Sequence, residues 1–356
     1  MQPRPAGVAP PRPSVAPAQA SGALLQRLAS SADPGVAFAA LTLGLGLPAD
    51  APEVATVRAA IPGSARARAL LCGRAADGTI PLHPYAKWQG PHWTLVQLAL
   101  LGYPPGDPEL VPLREQVLAW LFGRQHEKPP GTVVFAGQPD RVRRCASQEG
   151  NAAWALLRLG LDDERTTRLV ERLVGWQWPD GGWNCDKRTA ARSSSFQETA
   201  IPLRALWLYA TRRGHADALH AADRAAALLL ERRLLWRCSD GALIRPDWGG
   251  RTDIIHFPIQ FYDVLFALQV MAETGHLSDP RCADALAMLE AKRLPDGGFR
   301  REDQTATRRS RVASRGTWAD WGSSGTRTGN PFVSAIALGV LRIAALAGAG
   351  AVDPAG

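Results

Sequence analysis

Hydrophobic residues along the chain follow two helical patterns that alternate. Apolar residues between 169 and 174 recur at helical spacing among charged residues, which is typical of a helix with one solvated face. Three other segments, 152–159, 200–209 and 264–271, are apolar almost all round and indicate helices buried between neighbours. Runs that favour β-strands are nearly absent. The sequence therefore predicts an all-α fold in which amphipathic outer helices alternate with buried inner helices.

A short turn of the form [Arg/Gln]-x-x-Asp-Gly recurs along the chain. Four copies end at Gly78, Gly181, Gly241 and Gly297, and a degenerate copy without the aspartate ends at Gly131. Successive glycines are about 50 to 60 residues apart, which is the length of two helices with their loops. The regular spacing predicts about five repeats of one helix pair.

Two dipeptides mark the starts of outer helices. Asp107-Pro108 and Asp279-Pro280 each combine a good N-cap residue with a proline suited to the first helical position. The Pro-rich residues 1–20 are predicted to form a disordered tail, residues 21–348 one helical domain, and residues 349–356 a flexible C-terminus. Repeat folds grow as a single unit, so the length of 356 residues does not require two domains.

The formal net charge is +8, and arginine carries most of the excess. Basic residues are scattered, apart from Arg141, Arg143, Arg144 and the run 305–315, and no zinc-finger, basic-zipper or RNA-binding signature accompanies them. A nucleic-acid partner is therefore not expected. Peripheral membrane contact and an anionic small substrate both stay open.

Cysteine usage and the N-terminus bear on location. The five cysteines are an odd number in a large chain, the first residues lack the apolar core of a secretory signal, and no apolar stretch reaches the length of a spanning helix. These features favour a cytoplasmic protein with reduced thiols.

The turn at 177–183, with the sequence QWPDGGW, matches the QxxxGxW motif that recurs in squalene and oxidosqualene cyclases, and the turn at 296–299 is a weaker copy. In that family the glutamine caps an outer helix and its amide bonds the turn. The chain resembles bacterial proteins with prenyltransferase/squalene oxidase repeats over roughly residues 25 to 345. The resemblance implies an (α/α) toroid of about six helix-pair repeats, similar in size to the β-subunit of protein prenyltransferases, and leaves open whether a partner subunit is needed.

In such toroids the inner helices begin at one end of a central cavity, so the residues that precede them are the candidate site. Helix N-termini also favour anions. Tryptophans and polar residues recur at these positions. The predicted substrate-binding residues are Trp88, Trp93, Gln197, Tyr262, Trp318 and Trp321.

The resemblance suggests two kinds of chemistry. Class II terpene cyclisation uses a DxDD motif to protonate an alkene, and this sequence has no such motif; Glu198 is the one carboxylate at the comparable place and, if desolvated, could act as the acid. Protein prenyltransferases hold zinc with Asp, Cys and His. Here Cys145, Cys185 and His256, with Asp186 as a carboxylate, form a comparable zinc set, although the spacing differs from that of the family.

Two further readings come from the residues themselves. A glycan-active barrel would use paired carboxylates, for which Glu149, Asp186, Glu198, Asp263 and Asp320 are candidates. His92, flanked by two tryptophans, is a candidate base, although a core histidine is the commoner outcome. We favour an enzyme of the terpenoid-cyclase or prenyl-transfer type that acts on an apolar, diphosphate-bearing or neutral substrate, with a non-catalytic binding toroid or a glycan-active barrel as the alternative.

Overall fold

The computed structural model describes residues 15–128, 132–237, 240–244, 251–258, 262–302, 317–322 and 325–350, with side chains described between 21 and 347. This part of the chain contains thirteen α-helices and no β-strand, which confirms the all-α prediction. The helices are α1 Val15–Ala29, α2 Pro34–Ala39, α3 Pro52–Ala60, α4 Ala65–Leu71, α5 Pro91–Leu101, α6 Val111–Leu121, α7 Ala146–Arg158, α8 Glu164–Trp176, α9 Phe196–Arg213, α10 Ala216–Glu231, α11 Val264–Glu273, α12 Ala283–Glu290 and α13 Pro331–Gly350.

Capping residues set several helix starts. Asp107 and Asp279 accept hydrogen bonds from Glu109 N and Arg281 N, as expected, and in both cases the first turn is a short 3₁₀ helix that leads into α6 or α12. Asp163 forms a reciprocal capping box with Thr166 at the start of α8. These caps satisfy N–H groups that have no partner inside the helix.

The apolar helices pack against one another in chain order. Helix α5 contacts α7, α7 contacts α9, α9 contacts α11 and α11 contacts α13. Helix α13 in turn packs against α2 and the π-helical turn that follows it, and α2 contacts α5. At Gly339 of α13 the approach is so close that a Cβ atom would lie 2.6 Å from the carbonyl oxygen of Leu43. Helices α2, α5, α7, α9, α11 and α13, which we call the inner helices, therefore share one core.

Amphipathic helices cover the inner helices on one side. Helix α6 packs on α5, α8 on α7, α10 on α9 and α12 on α11. In α8 the buried face comprises Thr166, Leu169, Val170 and Leu173, as the sequence pattern predicted. The alternation of outer and inner helices is thus present through the middle of the chain.

The recurring turns tie neighbouring helices together. The side-chain amide of Gln177 donates to the carbonyls of Gly181, 2.8 Å away, and of Ala221 in α10, 2.7 Å away. Arg293, at the equivalent position, donates to Gly297 O at 3.1 Å. Asp180 accepts from the backbone N–H and the hydroxyl of Ser194, just before α9. Each turn therefore fixes its own loop and the approach to the next inner helix.

Two sequence expectations fall partly outside the described residues. The predicted tail, residues 1–20, overlaps α1, which begins at Val15, while residues 1–14 are not described. The basic run 305–315 and the last residues, 351–356, also lie outside the described part. Among the helices that are described, none combines the length and apolar character needed to cross a bilayer.

Candidate functional site

A group of two thiols and one carboxylate forms where α7 and α9 begin. Cys145 is the N-cap residue of α7, Cys185 lies in the loop between α8 and α9, and Glu198 stands in the first turn of α9. One ligand atom from each of the three residues lies within 4.8 Å of the others. We call these three residues the thiol–carboxylate cluster.

Hydrogen bonds fix the carboxylate of Glu198 against the start of α7. Ser147 donates its backbone N–H to Oε2 at 2.7 Å and its hydroxyl to Oε1 at 2.9 Å. The Sγ atom of Cys185 lies 3.7 Å from Oε1. Because α7 and α9 pack closely, the side chain of Glu198 has little freedom to turn away.

The surroundings of the cluster disfavour negative charge. Burial, reinforced by the charge of Glu149, raises the pKa of Glu198 to about 7 against the opposing bonds from Ser147. A hydrogen bond with Cys145 and burial raise the pKa of Cys185. Within the described ranges no lysine or arginine pairs with Glu198. Without a cation, Glu198 and Cys185 therefore lose their protons less readily than they would in water.

Aromatic and histidine side chains border the cluster at the start of α5. The ring of His92 lies 5.3 Å from that of Tyr85 and 5.7 Å from that of Trp120. His92 is 1% exposed, neither ring nitrogen has a hydrogen-bond partner within the described part of the chain, and burial lowers its pKa to about 3. These surroundings keep the His92 imidazole neutral, and its role as a base stays a prediction.

His256 and Asp263 do not join the cluster. The Nε2 atom of His256 lies 2.7 Å from Arg251 O, and its backbone N–H donates to Asp263 at 2.6 Å. Asp263 is the N-cap residue of α11, and burial raises its pKa to about 6. The metal set predicted from the sequence is therefore corrected: Cys145 and Cys185 come together, and Glu198 stands where His256 was expected.

Asp186 is also separate from the cluster. Its carboxylate pairs with Arg188 at 2.7 Å, and this bond lowers its pKa. Tyr262 donates its hydroxyl to Leu234 O at 2.9 Å, which leaves it buried in the core. The Asp186 carboxylate is thus paired with a neighbouring arginine, and the Tyr262 hydroxyl is bonded to a backbone carbonyl.

The predicted tryptophans divide between core and surface. Trp88 and Trp93 pack edge to face, with ring centroids 4.4 Å apart. Trp321 is buried and lies with its Nε1 3.2 Å from the side-chain oxygen of Gln97, whereas Trp318 is 37% exposed. Gln197 is partly buried in the first turn of α9. Gln97 links three of these tryptophans, because its side chain donates to the carbonyls of Trp88 and Trp93 and accepts from Trp321.

A cavity of about 280 Å³ lies further along the inner helices. Most of its walls are apolar, and its four largest aromatic rings come from α2, α7, α9 and α13. None of the residues predicted from the sequence lines it. The lining residues are Phe38, Ala39, Thr42, Leu43, Leu47, Ala49, Arg58, Ala99, Leu100, Trp154, Arg158, Arg204, Trp207, Leu208, Gln269, Glu273, Phe332 and Ile336. We call it the arginine cavity.

One wall of the arginine cavity carries a buried ion pair. Arg204 binds Glu273 through two hydrogen bonds of 2.6 and 2.8 Å, and Gln269 donates to the same carboxylate at 2.8 Å. The guanidinium of Arg204 also lies 3.7 Å from the ring centroid of Trp154. This network fixes one positive and one negative charge in the wall.

Arg158 and Arg58 add positive charge that the cavity does not neutralise. Within the described ranges Arg158 forms no hydrogen bond or ion pair, and burial lowers its pKa to about 10, so it stays charged at neutral pH. Arg58 donates to Gly102 O at 3.2 Å. Three guanidinium groups thus face the single carboxylate of Glu273, and the cavity carries an excess of positive charge.

No protein-family model and no curated protein matches the chain.

Proposed function

We propose that the chain is an (α/α) toroid that binds an apolar molecule with an anionic group in the arginine cavity and acts on it as a terpenoid-cyclase-like or prenyl-transfer-like enzyme. The observation that carries the proposal is the charged, unpaired guanidinium of Arg158 in a cavity with aromatic walls. A charged guanidinium that borders an apolar cavity binds an anion through charge-assisted hydrogen bonds, and Arg158 forms no hydrogen bond within the described part of the chain.

The toroid is supported by the order of the helix contacts. Each inner helix packs against the next one in the chain, and α13 packs against α2. Residues from all six inner helices or their extensions line the same cavity. A closed ring of six helix pairs accounts for both observations and agrees with the repeat spacing in the sequence.

The size and lining of the cavity favour a short apolar chain. Ligand pockets in proteins span about 300–1,000 Å³, and the arginine cavity is near the lower end of that range. A farnesyl chain suits this volume better than squalene. Arg58, Arg158 and Arg204 would hold the diphosphate, while the apolar walls would hold the chain.

The residues of the cavity suit loss of a diphosphate better than protonation of an alkene. In such a step the carbon–oxygen bond breaks, the diphosphate leaves with the electron pair, and the carbon becomes a cation. The arginines would stabilise the leaving group, and the ring of Trp207 would stabilise the cation. The only carboxylate among the described lining residues, Glu273, is bound to Arg204 and is poorly placed to donate a proton.

Binding and turnover of farnesyl diphosphate test the proposal. Titration calorimetry of the wild-type protein should show micromolar binding, and Arg158→Met should weaken it about tenfold or more, the loss of one charge-assisted hydrogen bond. Arg27→Met, at an exposed position on α1, is the matched control. Product analysis by mass spectrometry after incubation with farnesyl diphosphate, geranylgeranyl diphosphate or squalene then reports turnover.

Three outcomes distinguish the proposed enzyme from its alternatives. Binding with turnover of a diphosphate supports the enzyme. Binding that depends on Arg158 without turnover supports a non-catalytic binding toroid. Failure of every diphosphate to bind, or equal binding by Arg158→Met, would overturn the proposed ligand. The glycan-active alternative needs two carboxylates facing the substrate, and the described lining offers one.

A further inference from the structure

We infer that Cys145, Cys185 and Glu198 form a zinc site with one open coordination position. The inference is independent of the proposed reaction, because metal binding is measured without any substrate. It also differs from the set expected from the sequence, in which His256 was the third ligand.

The spacing of the ligand atoms fits a tetrahedral zinc ion. Bonds of about 2.3 Å to sulfur and about 2.0 Å to oxygen place neighbouring ligand atoms about 3.5 to 3.8 Å apart. The Sγ atom of Cys185 and the Oε1 atom of Glu198 are already 3.7 Å apart, and all three ligand atoms lie within 4.8 Å. The remaining spacings have to shorten by at most about 1 Å for all three atoms to bind one zinc ion.

The ligands are held by secondary structure and by a supporting hydrogen bond. Cys145 and Glu198 belong to the first turns of two packed helices, so their backbones are fixed relative to each other. Ser147 donates to both carboxylate oxygens of Glu198 and orients them, as outer partners of metal ligands commonly do. The carboxylate still has lone pairs for a metal.

The chemistry of the donors selects the ion. Two thiols are soft ligands that favour zinc over magnesium or calcium, which prefer oxygen. The N-termini of α7 and α9 favour the anionic forms of the ligands, but no lysine or arginine of the described residues pairs with Glu198. A divalent cation supplies the missing positive charge.

Two other states of Cys145 and Cys185 are alternatives to the zinc site. The thiols could form a disulfide under oxidising conditions, or they could be inert core cysteines. In both alternatives the protein binds no metal through the cysteine thiolates. A disulfide also gives a cross-linked peptide that mass spectrometry detects. The zinc site predicts about one equivalent of metal and two free thiols after its removal.

Cobalt substitution provides the decisive test. The reduced wild-type protein should contain about one equivalent of zinc by elemental analysis, and cobalt(II) added after chelation should give a near-ultraviolet thiolate-to-cobalt band. Cys145→Ser and Cys185→Ser should each lose about half of that band. Cys72→Ser, at an exposed cysteine far along the sequence, should keep it in full.

A second variant guards against loss of fold. Glu198→Gln keeps both thiolates, so the band should persist while zinc affinity falls at least about tenfold. Circular dichroism checks that each variant remains helical. A zinc content below about 0.2 equivalents together with no cobalt band, an equal loss in Cys72→Ser, or a Cys145–Cys185 disulfide in freshly purified protein would each overturn the zinc site. Because none of these readouts involves a diphosphate, failure here leaves the proposed function to its own test.

Discussion

The thiol–carboxylate cluster and the arginine cavity stand on the same inner helices, but the first is built from acidic groups and the second from basic groups. On α9 the two regions are six residues apart, from Glu198 to Arg204, which corresponds to about 9 Å along the helix axis. The cluster offers acidic groups without a paired cation, whereas the cavity offers three guanidinium groups against one carboxylate. One region suits a cation and the other suits an anion.

The helix dipole explains why the charges are divided in this way. The N-terminal ends of α7, α9 and α11 are occupied by Cys145, Glu198 and Asp263, which are acidic groups of the chain itself. Arg158 stands in the last turn of α7, where a cation is favoured. The arginines of the cavity, and not the helix dipole, therefore favour an external anion there instead of at the N-terminal ends of α7, α9 and α11, where the sequence suggested it.

The largest expected effect is on metal binding. The double variant Cys145→Ser/Cys185→Ser should lower zinc affinity by about 1000-fold or more, because both sulfur ligands are lost. Binding of farnesyl diphosphate should stay within about twofold of wild type. Calorimetric titration of each ligand measures both. Loss of both affinities in this variant, or a changed cobalt spectrum in Arg158→Met, would mean that the two regions form one site.

Next in size is the buried ion pair of the cavity. Arg204→Met leaves Glu273 without its cation and should lower the free energy of unfolding by about 3 kcal/mol, measured with urea. Removing both charges in Arg204→Met/Glu273→Met should restore most of that loss. The exposed pair of Arg213 and Asp162 is the control, and Arg213→Met should cost less than about 1 kcal/mol. Equal losses of unfolding free energy in Arg204→Met and Arg213→Met would show that the ion pair in the cavity contributes no more to stability than the surface pair.

A smaller effect is expected on the pH dependence of stability, through Asp263 at the N-terminal end of α11. Burial raises the pKa of Asp263 from 3.8 to about 6, so its protonated form stabilises the fold below about pH 4 and that contribution is lost as the pH rises through 6. Asp263→Asn resembles the protonated form. The unfolding free energy of Asp263→Asn minus that of wild type should therefore rise by about 2 kcal/mol from pH 4.5 to pH 7. Urea unfolding at each pH measures this difference.

The exposed cap Asp279 supplies the contrast for that measurement. Its bond to Arg281 lowers its pKa to about 2, so its contribution is lost only as the pH falls through that value. Asp279→Asn should accordingly show no gain over the same interval. If the difference in unfolding free energy between Asp263→Asn and wild type also stays constant with pH, Asp263 is charged throughout the interval. The N–H groups of Phe266 and His256 would then stabilise its charge.

The smallest effect is expected at a turn outside both regions. Gln177→Ala removes the bonds to Gly181 and Ala221 and should lower stability by about 1 kcal/mol without changing the affinity for zinc or diphosphate. Gln26→Ala, at an exposed position on α1, should have no measurable effect. A change in either affinity would indicate that the turn positions the inner helices more tightly than its bonds imply.

The sequence predicted the helices well because their signals are local. The apolar segments at 152–159, 200–209 and 264–271 fall in or at the end of α7, α9 and α11, and the caps at Asp107 and Asp279 depend only on neighbouring residues. The repeat spacing also indicated which segments precede inner helices. These properties need no knowledge of which helix packs against which.

The two functional regions were predicted unequally. Cys145, Cys185 and Glu198 were all candidates, but their grouping depends on how α7 packs against α9, and local spacing could not distinguish Glu198 from His256. The arginine cavity was missed. A signal was present, because Arg204 and Gln269 interrupt helices that are otherwise apolar, and a polar residue there has to face a cavity or a partner.

The packing of α13 against α2 has a consequence for folding during synthesis. Synthesis proceeds from the N-terminus, so α1 and α2 leave the ribosome long before the helix that covers them. Their apolar surfaces stay uncovered, and the contact of Gly339 with Leu43 cannot form, until α13 has been synthesised. Nascent chains are therefore expected to stay dependent on chaperones until α13 emerges, and a ribosome stalled before residue 331 should display a protease-sensitive amino-terminal region.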